Sequence, residues 1–244
     1  MSPAELCDKI SVWIKEKIEQ AGAKGGVVGL SGGLDSAVVA VLCKRALGNN
    51  LLAIVMPCYS SPQDERYARQ VAEKFNIKFE IICLDEVFDK FIKILPPGGK
   101  IARANLKPRI RMITLYYFAN NLNYLVVGTG NKSEITVGYF TKYGDGGADI
   151  FPLGGILKTD VVKLAKYLGV PQAIIDRVPT GGLWPGQTDE KEIGITYREL
   201  DQIIRVVEGK IKEPVAEDKL RKVKALIQNS LHKRESPPLF SFDQ

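Results

Sequence analysis

The stretch Gly29-Leu30-Ser31-Gly32-Gly33-Leu34-Asp35-Ser36 lies between a short apolar run and a helix-like segment. Two adjacent glycines remove side chains where backbone must come close to a ligand. The helix that follows offers unpaired N–H groups and the positive end of its dipole, which together favour an anion. Ser31 and Ser36 add hydroxyl donors. These features describe a phosphate cradle. It is not a Walker loop, which opens its helix with Gly-Lys-Ser/Thr. Asp35 adds a further requirement, because a carboxylate in a phosphate nest repels the ligand unless a divalent cation lies between them. A hard cation such as Mg2+ takes one or two carboxylates together with phosphate oxygens, so Asp35 reads as a metal ligand.

Four other stretches carry polar chemistry at glycine- or proline-marked turns. Asn105-Leu106-Lys107-Pro108-Arg109-Ile110-Arg111-Met112 precedes a helical pattern. Gly128-Thr129-Gly130-Asn131-Lys132-Ser133-Glu134 follows an apolar run, and Glu134 offers a second carboxylate for a cation; alone, it reads equally as a solvated first-turn glutamate. Residues 138–149 place Lys142, Asp145 and Asp149 on a Gly-punctuated loop too polar for a core. Residues 179–190 run Pro-Thr-Gly-Gly-Leu-Trp-Pro-Gly-Gln-Thr-Asp-Glu and look like a lid, with glycines at both ends and Trp184 either as its central aromatic or as a packing anchor.

Secondary-structure signals say what positions these loops. Ser2, Pro3 and Glu5 form a capping box ahead of Leu6, Ile10, Trp13, Ile14 and Ile18 at helical spacing. Strands are expected at 25–30, 51–56, 77–84 and 124–128. Helices are expected at 36–47, 62–75, 86–95, 109–122, 158–168, 196–208 and 214–231. The expected break is the Pro-Pro-Gly-Gly run at 96–99. Strand–helix–strand repetition with near-continuous apolar strands implies a parallel sheet covered on both faces. Ligands of such sheets bind beyond the carboxyl ends of the strands, where strand order reverses. That singles out the segments after Leu30, Met56, Leu84 and Val127.

The chain of 244 residues is 45% hydrophobic and 25% charged, values of a globular domain, with a formal net charge of +6. A positive field suits polyanionic substrates. Nucleic-acid binding fits less well, since the basic clusters at 219–224 and 232–234 are short. Cys7, Cys43, Cys58 and Cys83 have no metal-binding spacing and read as buried or semi-buried free thiols. No signal peptide and no membrane-spanning run are evident, so a cytoplasmic protein with no membrane partner is expected.

Ser31–Ser36 resembles the pyrophosphate loop of the N-type ATP pyrophosphatases, a motif shared by GMP synthetase, asparagine synthetase and tRNA-modifying enzymes. With the four other stretches, residues 26–237 are similar to the ammonia-dependent NAD synthetases. The resemblance implies an α/β, adenine nucleotide alpha hydrolase-like (Rossmann-like) three-layer sandwich. It implies a single domain over 1–244: an N-terminal helix 3–21, a nucleotide-binding core 25–170, a C-terminal helical extension 171–244 and no glutaminase domain. It implies ATP as co-substrate, Mg2+, and a homodimer with deamido-NAD near the interface. Carried over by motif, Gly29, Leu30, Ser31, Gly32, Gly33, Leu34, Asp35, Ser36, Thr129, Lys158 and Thr180 contact ATP. Asp35 and Glu134 hold Mg2+. Arg109, Lys142, Asp149, His232 and Lys233 contact deamido-NAD. Beyond that carry-over, two catalytic roles are expected: Lys158 stabilises charge on the departing pyrophosphate, and Asp145, on the Gly-rich loop, binds ammonium and takes its proton. The family's Pro-Thr-Ala-x-Leu reads Pro-Thr-Gly-Gly-Leu here. Rival readings are another adenylating member of the superfamily, with xanthosine monophosphate as a test substrate, and a nucleotide sensor without turnover. tRNA modification would need a basic appendage that the sequence lacks.

Overall fold

A computed structural model describes residues 1–242. Helix α1 (Pro3–Gln20) starts with the expected capping box: Ser2 Oγ accepts from Glu5 N at 3.2 Å, and Ser2 N donates to Glu5 Oε2 at 2.8 Å. Its Cys7, Ile10, Ile14 and Ile18 are buried. The order then runs β1 (Gly25–Gly29), α2 (Leu34–Leu47), β2 (Leu51–Val55), α3 (Pro62–Lys74), β3 (Phe79–Ile81), α4 (Asp85–Ile94), α5 (Lys100–Leu122) and β4 (Tyr124–Val127). After β4 come α6 (Lys132–Val137), α7 (Lys158–Leu168), α8 (Gln172–Ile175), α9 (Asp189–Ile193), α10 (Tyr197–Val207), α11 (Glu217–Asn229) and α12 (Leu231–Arg234).

The four strands are all parallel, in the order β3-β2-β1-β4. The chain builds outward from β1 to β3, then crosses back to lay β4 on the other side of β1. Strand order therefore reverses between β1 and β4, and the crevice above their carboxyl ends is the expected ligand site. One face of the sheet packs apolar residues of α1, α2, α3 and α7 in one buried cluster, and α4 and α5 cover the other face in a second. A third cluster joins α6, α10 and α11 around Leu200, Ile203 and Ile204, beside the β4 end of the crevice. The result is a three-layer sandwich with C-terminal helices.

Two expected elements differ. The third strand is Phe79–Ile81, not 77–84, because it is an edge strand whose only neighbour, β2, stops at Val55 ahead of Pro57. Helix α5 starts at Lys100 rather than Arg109, with Pro108 inside it. Pro108 removes one hydrogen bond, but burial of Ala104, Lys107, Pro108 and Ile110 carries the helix through. Residues 138–155 form no helix or strand of their own apart from a single parallel bridge from Ile150 to Val127. All four cysteines are free; Cys7, Cys43 and Cys58 are buried, and Cys83, beyond the edge strand, is exposed instead of semi-buried. No helix among the described residues is long and apolar enough to cross a membrane.

Candidate active site

The loop after β1 is tied by its own hydroxyls. Ser36 Oγ donates to Gly33 O at 3.0 Å and accepts from Ser31 N at 3.2 Å. Ser31 Oγ lies 2.9 Å from Ser36 Oγ and accepts from Gly33 N at 3.2 Å. Gly33 caps α2 with no side-chain bond, which leaves the N–H groups of the first turn for a ligand. Gly32 has φ +78°, the left-handed region that glycine enters freely.

Across the crevice, α6 also starts with a capping box. Asn131 Oδ1 accepts from Glu134 N at 3.1 Å, and Asn131 N donates to Glu134 Oε2 at 3.4 Å. The box turns the other oxygen, Glu134 Oε1, toward Lys158 Nζ at 3.3 Å. Asn131 Nδ2 also donates to Asp35 Oδ1 at 3.0 Å. Glu134 thus caps its helix and faces the site, and its side chain, 17% exposed, is largely enclosed rather than solvated. Lys158, 5% exposed at the start of α7, bridges Asp35 and Glu134. Its backbone is fixed from behind: Lys158 N donates to Ser133 Oγ at 2.9 Å, Ser133 Oγ donates to the buried Asp201, and Asp201 accepts from Thr159 N at 2.9 Å.

This cluster carries more negative charge than the protein neutralises. Tyr197 Oη lies 2.9 Å from Asp189 Oδ2 and 3.2 Å from Glu134 Oε1, and it has one proton to give. Asp189 Oδ1 is buried without a partner. Burial pushes the Glu134 carboxyl up to about 7, against the pull of Lys158. Burial also opposes the Lys158 charge, but Asp35 and Glu134 outweigh it and hold the ammonium pKa above its ordinary value. Neighbouring carboxylates add to the first shift and drive the second. A cavity of about 1020 Å³ opens over the cluster, at the upper end of small-molecule sites. Eight carboxylates and six Lys or Arg side chains line it, so the positive excess of the whole chain lies elsewhere. Among the described residues, no three acidic, imidazole or thiol side chains converge to cage a metal unaided. A cation shared with phosphate oxygens needs only one or two carboxylates, and the Asp35–Glu134 pair fits that pattern.

The remaining residues expected from sequence are distributed as follows. Thr129 and Thr180 line the cavity, and Thr180 Oγ1 accepts from Gly182 N at 3.1 Å. Asp145 faces the cavity and accepts from Thr141 N at 2.9 Å; the protein packed round it raises its carboxyl pKa. Arg109 donates to Lys142 O at 3.3 Å, and Lys142 Nζ donates to His232 O. Lys233 Nζ is spent on Gly138 O and Phe140 O, at 2.8 and 2.9 Å, clipping α12 to the Gly-rich loop, and burial lowers its pKa. Asp149 is not among the residues lining the cavity. Its carboxylate accepts from Val126 N at 2.7 Å and Tyr116 Oη at 3.0 Å, an internal use that braces the end of β4. The lid stretch is held on α5: Lys107 Nζ donates to Leu183 O at 3.0 Å and Lys100 Nζ sits 4.1 Å from the Trp184 ring centroid.

Sequence reasoning missed Asn131, Asp189, Tyr197, Asp201 and Arg177 as parts of the site. Asn131 was findable, since Asn-x-x-Glu at the start of a helix is a capping signature. Asp189 lies near the end of the 179–190 stretch without a mark of its own, and Tyr197, Asp201 and Arg177 have no local signal.

The NAD synthase family model matches residues 6–237. The chain belongs to the NAD synthase family. It is 46% identical over 238 residues to an NH3-dependent NAD+ synthetase of Carboxydothermus hydrogenoformans, covering 96% of each chain. Its fold matches an NMN synthetase structure from Francisella tularensis with a TM-score of 0.92 at 37% identity, over 99% of this chain and all of that one. It matches an NH3-dependent NAD synthetase from Campylobacter jejuni with a TM-score of 0.86 at 31% identity, over 99% of this chain and all of that one. The sandwich is thus the adenine nucleotide alpha hydrolase-like fold of this family.

Proposed function

We propose that this protein is an ammonia-dependent NAD synthetase, a ligase that amidates deamido-NAD at the expense of ATP. The observation that carries the reading is the meeting of Asp35, from the loop after β1, and Glu134, from the turn after β4, on Lys158 at the reversal point of the sheet. In this reading Gly29 to Ser36, Thr129 and Thr180 seat ATP. The nicotinate carboxylate of deamido-NAD attacks the α-phosphorus; the carboxyl–phosphate bond forms, and the bond to pyrophosphate breaks. The reaction supplies its own nucleophile, so the protein's task is to align the two substrates. First-turn N–H groups of α2 and the Lys158 ammonium stabilise charge on the departing pyrophosphate. Mg2+, held by Asp35 and Glu134, neutralises phosphate charge when bound. Ammonia then forms the C–N bond, AMP leaves with the shared oxygen, and ammonia loses a proton.

We assign the capture of ammonium to Asp145, a carboxylate facing the cavity on the Gly-rich loop. Asp145→Asn keeps an oxygen for Thr141 N and loses the charge. The expected result is a rise of about tenfold or more in the KM for ammonium, with the KM for ATP little changed. Unaltered ammonium dependence from pH 7 to 9 rejects the assignment.

Arg109, Lys142, His232 and Lys233 are assigned to the dinucleotide, and Asp149 reaches it only if its internal bonds are exchanged. The protein is further proposed to work in the cytoplasm as a homodimer. Ile94, Leu95, Ile113 and Tyr117 are exposed apolar side chains at the end of α4 and along α5, which a second copy would cover. Ile113→Asp is expected to shift the mass in sedimentation from dimer to monomer at micromolar concentration; a wild-type monomer there removes this assembly.

One observation favours a second reading. The match to an NMN synthetase makes the shorter mononucleotide the competing substrate. The purified protein with ATP, Mg2+, ammonium and either deamido-NAD or nicotinate mononucleotide tests both. NAD and AMP formed in equal amounts support the first reading; preferential NMN formation supports the second. No AMP with either substrate sinks both.

A further inference from the structure

Arg177 joins three separate parts of the site, and nothing in the mechanism above uses it. It follows α8 and stands just ahead of Pro179 and Thr180, where the lid stretch begins. Its Nη1 donates to Gly32 O at 3.4 Å, and its Nη2 pairs with Asp64. Asp64 is itself fixed, since its other oxygen accepts from Ser61 N at 3.1 Å in the capping box of α3. The pair is mostly enclosed, with the side chains 25% and 18% exposed. Gly32 lies directly on the same turn: a Cβ there would stand 2.2 Å from Asp64 O. One guanidinium thus links the phosphate loop, the start of α3 and the root of the lid.

The link has a chemical consequence. In a planar trans peptide the carbonyl and the N–H point in opposite directions, so fixing Gly32 O also fixes Gly33 N–H. Ser31 Oγ holds the N–H end of this peptide at 3.2 Å and Arg177 holds its carbonyl end; with the carbonyl released, two adjacent glycines give the peptide freedom to turn, and a carbonyl turned into an anion site repels the anion. Arginine's rigid fork can hold a carbonyl and a carboxylate together, which a single lysine ammonium does less well.

We propose that Arg177, anchored by Asp64, is a positioning residue for ATP: it sets the Gly32–Gly33 peptide for the β- and γ-phosphates and ties that setting to the lid. This rests on the reading that the Ser31–Ser36 loop holds those phosphates. The experiment is calorimetric titration of a non-hydrolysable ATP analogue and of AMP, each with Mg2+, into wild type, Arg177→Met, Arg177→Lys and Asp64→Asn. AMP lacks the phosphates in question and reports any general damage. Arg177→Met is expected to weaken the ATP analogue about tenfold or more while AMP changes less than twofold. Arg177→Lys recovers part of the loss. Asp64→Asn keeps the cap to Ser61 N and weakens the analogue in the same direction, by less. If Asp64→Asn instead tightens the analogue, Arg177 contacts phosphate itself and the positioning role is overturned. An unchanged ratio of analogue to AMP affinity in Arg177→Met, with or without a lower melting temperature, also overturns it. If wild type binds AMP as tightly as the analogue, the phosphate-loop reading fails and takes this inference with it.

Discussion

Asp35→Ala is expected to abolish pyrophosphate release, by about a thousandfold or more in kcat/KM for ATP, with no recovery when Mg2+ is raised. The size follows from what the carboxylate does. It touches Lys158 and accepts from Asn131, so it positions two groups as well as contributing charge. Removal of one group that stabilises developing transition-state charge costs about a hundred- to a thousandfold. In the proposed function Asp35 would also be half of a two-carboxylate cation seat, and its loss would add to that. The same change should leave the fold intact. Asp35, Glu134 and Asp189 crowd one ammonium, and Asp189 Oδ1 has no partner at all. Like charges held close destabilise the folded state, so deletion of one acid relieves repulsion. The thermal midpoint of Asp35→Ala without nucleotide is therefore expected to equal or exceed that of wild type. Mg-ATP, which stabilises wild type by binding the folded state, raises it no further. Measured melts with and without Mg-ATP check both halves. A variant that melts early and keeps its pyrophosphate release would show Asp35 to be structural.

Much of this site could be read from the chain because its parts announce themselves locally. β1, β2 and β4 are short apolar runs closed by glycine or proline, and strands buried on both faces have to look like that. The phosphate loop is legible for the same reason: two glycines, two serines and a helix start are a local design. The capping box at Ser2 is local as well, and so is the one at Asn131 that went unread. The rest of what escaped is decided by burial or distance. Pro108 looks like the start of a helix, and only the packing of Ala104 and Lys107 shows that α5 passes through it. β3 shortens because an edge strand has one partner. Asp189, Tyr197 and Asp201 reach the cluster from more than 50 residues beyond Glu134, through the third apolar cluster around α10. Their residue types are ordinary, and their placement is the information. Asp149 shows the reverse: it stands on a loop full of chemistry, yet its carboxylate holds the backbone of β4.

Gly32→Ala and Gly33→Ala should differ sharply although the residues are adjacent. At Gly32 the backbone has φ +78°, where an L side chain costs roughly 1–2 kcal/mol. The new Cβ also stands 2.2 Å from Asp64 O. That oxygen belongs to the backbone of the first turn of α3, so no rotamer change relieves the overlap. α3 is anchored by buried Ala68, Val71 and Ala72, so the phosphate loop has to give way. Relief to an ordinary contact needs a shift of about 1 Å, and a misplacement of that size costs about a hundredfold in a positioned reaction. At Gly33 the backbone has φ −88°, which any residue adopts, and a Cβ meets only Ser31 Oγ at 3.3 Å. A small displacement of that hydroxyl accommodates it. The expected result is a loss of about a hundredfold in kcat/KM for ATP in Gly32→Ala and of less than about tenfold in Gly33→Ala. Steady-state kinetics at fixed deamido-NAD and ammonium measure both. Equal losses in the two variants would mean that the loop does not lean on α3 in the working enzyme.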